Sequence, residues 1–88
     1  MYTLKYHKKA LKEITKLKEN NLDIKAKRLI DLIKENPYQT PPPYEKLTGD
    51  LKGLYSRRIN IQHRLVYQVF EIEKIIKIIS LWSHYENL

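Results

Sequence analysis

Residues 54–82 read LYSRRINIQHRLVYQVFEIEKIIKIISLW. Three stretches within it, 54–59, 63–70 and 74–82, are rich in aromatic and β-branched residues and are separated by short polar breaks. That pattern predicts three consecutive strands linked by hairpins. The run Ile75, Ile76, Lys77, Ile78, Ile79 would also suit a buried helical segment, but its β-branching and the lack of any capping residue favour a strand covered on both faces.

On the N-terminal side of this block, Thr48, Gly49 and Asp50 look like a turn, and residues 37–43, PYQTPPP, hold all four prolines. Such a segment neither continues a helix nor donates to a sheet ladder, so an extended connection is expected, leading to Tyr44, Glu45 and Lys46. Before it, Ala10, Leu11, Ile14 and Leu17 recur at helical spacing, and so do Leu22, Ala26, Leu29, Ile30 and Ile33. Asn20 and Asn21 divide the two helices and offer an amide cap to the second, while Asn36 and Pro37 stop it. At the start, Tyr2, Leu4 and Tyr6 alternate with Thr3 and Lys5, as in a strand with one buried face. The expected fold class is α+β: a sandwich of an N-terminal strand, a two-helix antiparallel hairpin, then a three-stranded antiparallel meander in one sheet. Both helices should cover one face of the sheet and leave the other partly open to a substrate.

An 88-residue chain has room for one domain, taken as residues 1–88. It has no cysteine, which excludes a disulfide scaffold, a thiolate metal site and a thiol nucleophile. The opening MYTLKYHKK lacks the apolar stretch of a signal peptide, and no run approaches the roughly 18 apolar residues of a membrane span. A cytoplasmic location without membrane association is therefore expected. Seventeen Lys and Arg against ten Asp and Glu leave a net charge of +7, a field suited to polyanions or an acidic protein, although net charge also serves solubility alone.

Pairing of the first two meander strands would bring Arg57 or Arg58 within cross-strand reach of Arg64. Like charges so close favour an anion between them, and the planar guanidinium fork matches phosphate. The competing reading sends each arginine its own way, with one paired to Glu71 or Asp50. His84 and Glu45 are ordinary alone; beside a bound ribose phosphate, a histidine can protonate a leaving oxygen and a carboxylate can take a 2′-hydroxyl proton. His7 is expected to cap or flank the first helix, His63 and Trp82 to pack, and Tyr55 either to pack in the sheet or to stack on an unstacked base.

The stretch 45–67, EKLTGDLKGLYSRRINIQHRLVY, together with WSHY at 82–85, resembles the YoeB type of ribosome-dependent mRNA interferase within the RelE/ParE toxin superfamily. The resemblance spans the chain and is strongest in its SRRI, HRLVY and final HY signatures. It implies a RelE-like sandwich and a metal-independent, cofactor-free endoribonuclease, the toxin of a type II toxin–antitoxin module, that cuts messenger RNA in the ribosomal A site. By the same resemblance Glu45 is the general base, Arg64 stabilises the transition state and His84 is the general acid, while Arg58 and Tyr85 bind substrate, with Arg57 a further candidate. The family's lysine three residues after the glutamate is replaced here by Thr48, so Lys46 or Lys52 would have to take over its phosphate contact.

The partners implied are a ribosome carrying mRNA, an acidic and partly disordered YefM-like antitoxin, and a second copy of the chain in a homodimer. Lys8, Lys9, Lys12, Lys16 and Lys18, with Lys25, Lys27 and Arg28, would suit ribosomal RNA phosphates or form a solvated helix face. Two rival functions use the same scaffold: a non-catalytic ParE-like toxin, whose branch lacks the glutamate, arginine and histidine set, and a plain basic nucleic-acid-binding module.

Overall fold

The computed structural model describes residues 1–82. Strand β1 (Thr3–Tyr6) is followed by α1 (Lys8–Glu19), α2 (Asp23–Glu35), the two-residue strand β2 (Glu45–Lys46), a single 3-10 turn at Gly49–Leu51, and strands β3 (Leu54–Arg58), β4 (Arg64–Phe70) and β5 (Ile75–Ser80). The expected α+β order holds, and the sheet gains one further member, β2. Its order is β1-β5-β4-β3-β2, with β1 parallel to β5 and every other pair antiparallel. A one-residue irregularity between Val66 and Tyr67 shifts the β4–β5 register.

His7 caps α1 as expected, its Nδ1 accepting from the Lys9 amide at 3.1 Å. The asparagines behave otherwise than predicted. Leu22 occupies the N-cap of α2 and gives it no side-chain bond, whereas the Asn20 amide donates to the Lys16 carbonyl and Asn21 takes a φ of 57°. Helix ends leave carbonyls without partners, and a left-handed residue with a short amide side chain is an effective terminator. The asparagines therefore close α1 rather than open α2.

Ala10 and Leu17 of α1 and Ala26, Leu29 and Ile33 of α2 share one core cluster with Ile59, Leu65, Tyr67, Ile76 and Ile78. Both helices thus cover the same sheet face, and each fully buried Leu or Ile contributes about 1.5–3 kcal/mol. Strand β5 is interior to the sheet but not equally covered: Ile76, Ile78 and Ser80 are buried on the helix side, while Ile75, Lys77 and Ile79 are half-buried on the other. The expectation of two covered faces is corrected to one and a half. Among the described residues no helix is long and apolar enough to cross a membrane.

Candidate active site

Side chains alternate across a strand, and directly paired residues share a face. Glu45 pairs with Ser56 and Arg58 with Arg64, while Ser56 and Arg58 stand two apart on β3. All four therefore project from the face turned away from the helices. Tyr55, Arg57, Leu65 and Tyr67 take the opposite face, where Leu65 and Tyr67 meet the helices.

On the open face a cavity of about 200 Å³ is lined by Glu45, Ser56, Arg58 and Arg64 and walled by Pro42, Pro43 and Tyr44. Arg64 Nη1 lies 3.5 Å from Glu45 Oε1, with the arginine side chain 11% exposed and the glutamate 56%. Arg58, directly opposite Arg64, is exposed and makes no hydrogen bond or ion pair among the described residues. Of the two arginines open to the role, Arg58 is the one that joins Arg64. A carboxylate, two guanidinium groups and a hydroxyl around one small cavity can hold an anion and move a proton beside it.

Arg57, also expected to touch substrate, is corrected to a structural part. Its side chain is only 1% exposed, and it donates from Nε to the Tyr67 hydroxyl at 3.0 Å, from Nη1 to the Pro42 carbonyl at 2.6 Å, and from Nη2 to the carbonyls of Pro37 at 3.0 Å and Gln39 at 2.8 Å. The Tyr67 hydroxyl donates in turn to the Pro37 carbonyl at 2.8 Å, and the Tyr44 ring lies 4.9 Å below the guanidinium. Burial pushes the Tyr67 phenol up, against the opposing pull of Arg57. Prolines carry carbonyls but no N–H, so this segment offers acceptors that the sheet cannot use, and Arg57 gathers them. Tyr44 faces this cluster, alternation sends Glu45 to the other side, and the glutamate is thereby placed at the cavity.

Lys46 pairs with Tyr55 on the helix-side face, and Lys46 and Lys52 line a separate depression with Thr48 and Gly49. Neither lines the Glu45 cavity. Tyr55 packs in the sheet, stacked on Tyr67 and edge-on to Tyr38 and Tyr44. His63 packs too: its ring stacks on Trp82 at 3.9 Å and its Nδ1 sits 2.6 Å from the Trp82 carbonyl. His84 and Tyr85 lie outside the described residues. Among the described residues no group of three or more His, Asp or Glu is placed to hold a metal.

Three residues escape sequence reasoning. Ser56 is 1% exposed inside the cavity wall, and its only sequence signal is its place two residues before Arg58 on a strand. Glu13 is buried on the apolar stripe of α1, where Oε1 accepts from the Leu81 amide at 2.9 Å and the Ser80 hydroxyl at 3.2 Å. Glu71, at the β4–β5 turn, accepts from the Tyr2 and Tyr38 hydroxyls at 2.6 and 2.8 Å and from Lys74 at 2.7 Å. Those bonds, with Lys74 the largest influence, bring its carboxyl down from 4.5 to about 2.

The profile of the YoeB-like toxin of bacterial type II toxin–antitoxin systems matches residues 5–85. The chain belongs to the YoeB-like toxin family. A curated YoeB toxin from Synechocystis is 40% identical over 71 residues, covering 81% of this chain and 73% of that protein. Among solved structures, a YoeB/ParE toxin from Agrobacterium tumefaciens superposes with a TM-score of 0.85 at 27% identity, covering 94% of this chain and 99% of that one. The Staphylococcus aureus YoeB toxin in its YoeB–YefM complex gives a TM-score of 0.80 at 34% identity, with coverage of 97% and 99%. As a dimer it gives 0.78 at 32%, covering 96% and 98%. Membership accounts for the α+β architecture.

Proposed function

We propose that this YoeB-like toxin is an endoribonuclease of the mRNA interferase kind, which cuts messenger RNA in the ribosomal A site and so inhibits translation. The observation that carries the reading is the 3.5 Å Glu45–Arg64 contact at a cavity shared with Arg58 on the open sheet face. In this scheme the scissile phosphate enters between the two arginines and competes for Arg64, freeing the half-exposed Glu45. Glu45 takes the proton of the 2′-hydroxyl, the 2′-oxygen bonds to phosphorus, the bond to the 5′-oxygen breaks, and His84 gives that oxygen its proton. The products are a 2′,3′-cyclic phosphate and a 5′-hydroxyl. Arg64 and Arg58 balance the charge that builds on the non-bridging oxygens, and the scheme calls on no metal or cofactor. Tyr85 would bracket an unstacked base, as single-stranded RNA recognition requires.

The net charge of +7 suits both the ribosomal RNA surface and an acidic antitoxin. By analogy with the S. aureus relative, a YefM-like antitoxin and a second copy of the chain are the protein partners proposed.

Primer-extension mapping of a defined mRNA on stalled ribosomes, with free RNA as control, tests the reading. Wild type is expected to cut within the A-site codon only when ribosomes are present. Glu45→Gln and His84→Ala should each slow cleavage by about 10²–10⁴-fold, and Arg64→Ala by about 10²–10³-fold. Absence of cleavage by folded wild type, or cleavage untouched by all three changes, would replace the enzyme reading with that of a binding module, for which neutralised helix lysines abolish activity.

A further inference from the structure

Ser56 is the one buried side-chain polar group among the described residues that has no hydrogen-bond partner. Its side chain is on the cavity face, beside Glu45 across one strand pair, two residues from Arg58, and it lines the same cavity as Arg64. A hydroxyl offers one donor and two acceptor positions, and burying it unpaired is a net loss that folded proteins rarely accept without a use. Alanine would fill the same place on the strand without that loss. The Glu45–Arg64 contact stands at the same cavity as the hydroxyl, and the 56% exposure of the Glu45 side chain leaves it room to move.

We propose that Ser56 is a substrate-binding residue, its Oγ–H donating to a non-bridging oxygen of the phosphodiester held by Arg58 and Arg64. The inference rests on the reading of this cavity as a phosphate site, and it adds a ligand to that site. Entry of the diester draws Arg64 away from Glu45 and brings an oxygen to the hydroxyl, so that one event supplies the hydroxyl with its acceptor and frees the carboxylate. The neutral donor also sets direction. Two guanidinium groups hold an anion in several orientations, whereas a third donor from the cavity wall fixes which oxygen faces inward.

The test uses the free, full-length protein and a dinucleotide whose 2′-deoxyribose prevents cleavage, titrated by amide chemical shifts. Wild type should bind; Ser56→Ala should weaken binding by about tenfold, as expected for a hydrogen bond to a charged group; Ser56→Thr should restore most of it; and Arg58→Gln should weaken binding as a positive control. Thermal unfolding separates this role from a structural one, because removing an unpaired buried hydroxyl should leave the melting temperature of Ser56→Ala equal to or above that of wild type. Binding by Ser56→Ala at wild-type affinity, no binding by wild type, or a lowered melting temperature that accounts for the loss would each overturn the proposal. Because this arm needs neither ribosome nor cleavage, it stands even where the A-site mapping shows no cut. In that case Ser56 remains a phosphate ligand and only the ribonuclease reading is lost.

Discussion

Replacing Arg57 by lysine isolates the clamp that holds the proline segment. The arginine serves three carbonyls and one hydroxyl from three different nitrogens. A lysine ammonium keeps the charge but gathers its donors at one point, so it cannot span acceptors on Pro37, Gln39 and Pro42 while also meeting Tyr67. At least one buried acceptor is left without a partner, at about 1–3 kcal/mol each, and the buried charge loses part of its compensation. A loss of about 3 kcal/mol follows, against a total of roughly 4–13 kcal/mol for a chain of this length. At about 4–8 °C per kcal/mol, the midpoint of thermal unfolding should fall by about 12–24 °C. Urea and thermal denaturation followed by circular dichroism measure it, and cleavage assayed well below the midpoint should also drop because the segment delivers Glu45. A variant within about 0.5 kcal/mol of wild type in stability, yet impaired in cleavage, would refute the reasoning and return Arg57 to the substrate.

Three further outcomes are expected. Glu71 has a folded pKa brought down from 4.5 to about 2, so its contribution is present above 4.5 and lost as pH falls toward 2. Glu71→Gln should therefore flatten the acid limb of the stability profile between those values, and an unchanged limb in a pH series of urea melts would contradict the assignment. Glu13→Ala removes the acceptor of the Leu81 amide and Ser80 hydroxyl and should cost about 2–4 kcal/mol by urea denaturation; a change under about 0.5 would show that these groups find other partners. Arg58→Gln relieves the like charge opposite Arg64, so its stability should hold or rise by up to about 1 kcal/mol while ribosome-dependent cleavage falls. A clear loss of stability would mean that Arg58 holds the sheet together.

The meander and both helices were legible because hydrophobic periodicity carries their signal over many residues. The two-residue strand β2 was not, since Glu45–Lys46 has no period of its own and becomes a strand only by pairing with Ser56 and Tyr55. The β1–β5 parallel pairing was equally hidden, because contact between residues some seventy positions apart leaves no local trace. At the site, Glu45, Arg58 and Arg64 could be named from motif resemblance, and strand pairing then explains how they meet. Arg57 misled because a motif cannot say which way a strand residue points; alternation puts neighbouring arginines on opposite faces, and only the register decides which face holds the cavity. Glu13 left a readable sign that went unused, an acidic residue on the stripe of Ala10, Ile14 and Leu17, where a charge persists only if a partner awaits it.

The pairing of Glu45 with Arg64 looks on the surface like a stabilising ion pair, and its magnitude argues otherwise. Two unit charges near 4 Å attract by about 1 kcal/mol in water and about 4 at a protein surface. With the glutamate 56% exposed, solvent screening and the loss of side-chain freedom bring the net value to roughly 0–1 kcal/mol. A phosphate that also engages Arg58 can displace so weak a contact, because it answers two guanidinium groups where Glu45 answers one. On the proposed mechanism the pair is then a resting counterion for Arg64 rather than a structural bond, as a group released by the incoming phosphate would need to be. Glu45→Gln should accordingly shift unfolding by no more than about 1 kcal/mol while slowing cleavage by about 10²–10⁴-fold. A Glu45→Gln variant that loses several kcal/mol of stability, with activity falling only in proportion to the folded fraction, would show that the carboxylate holds the site together and takes no part in its chemistry.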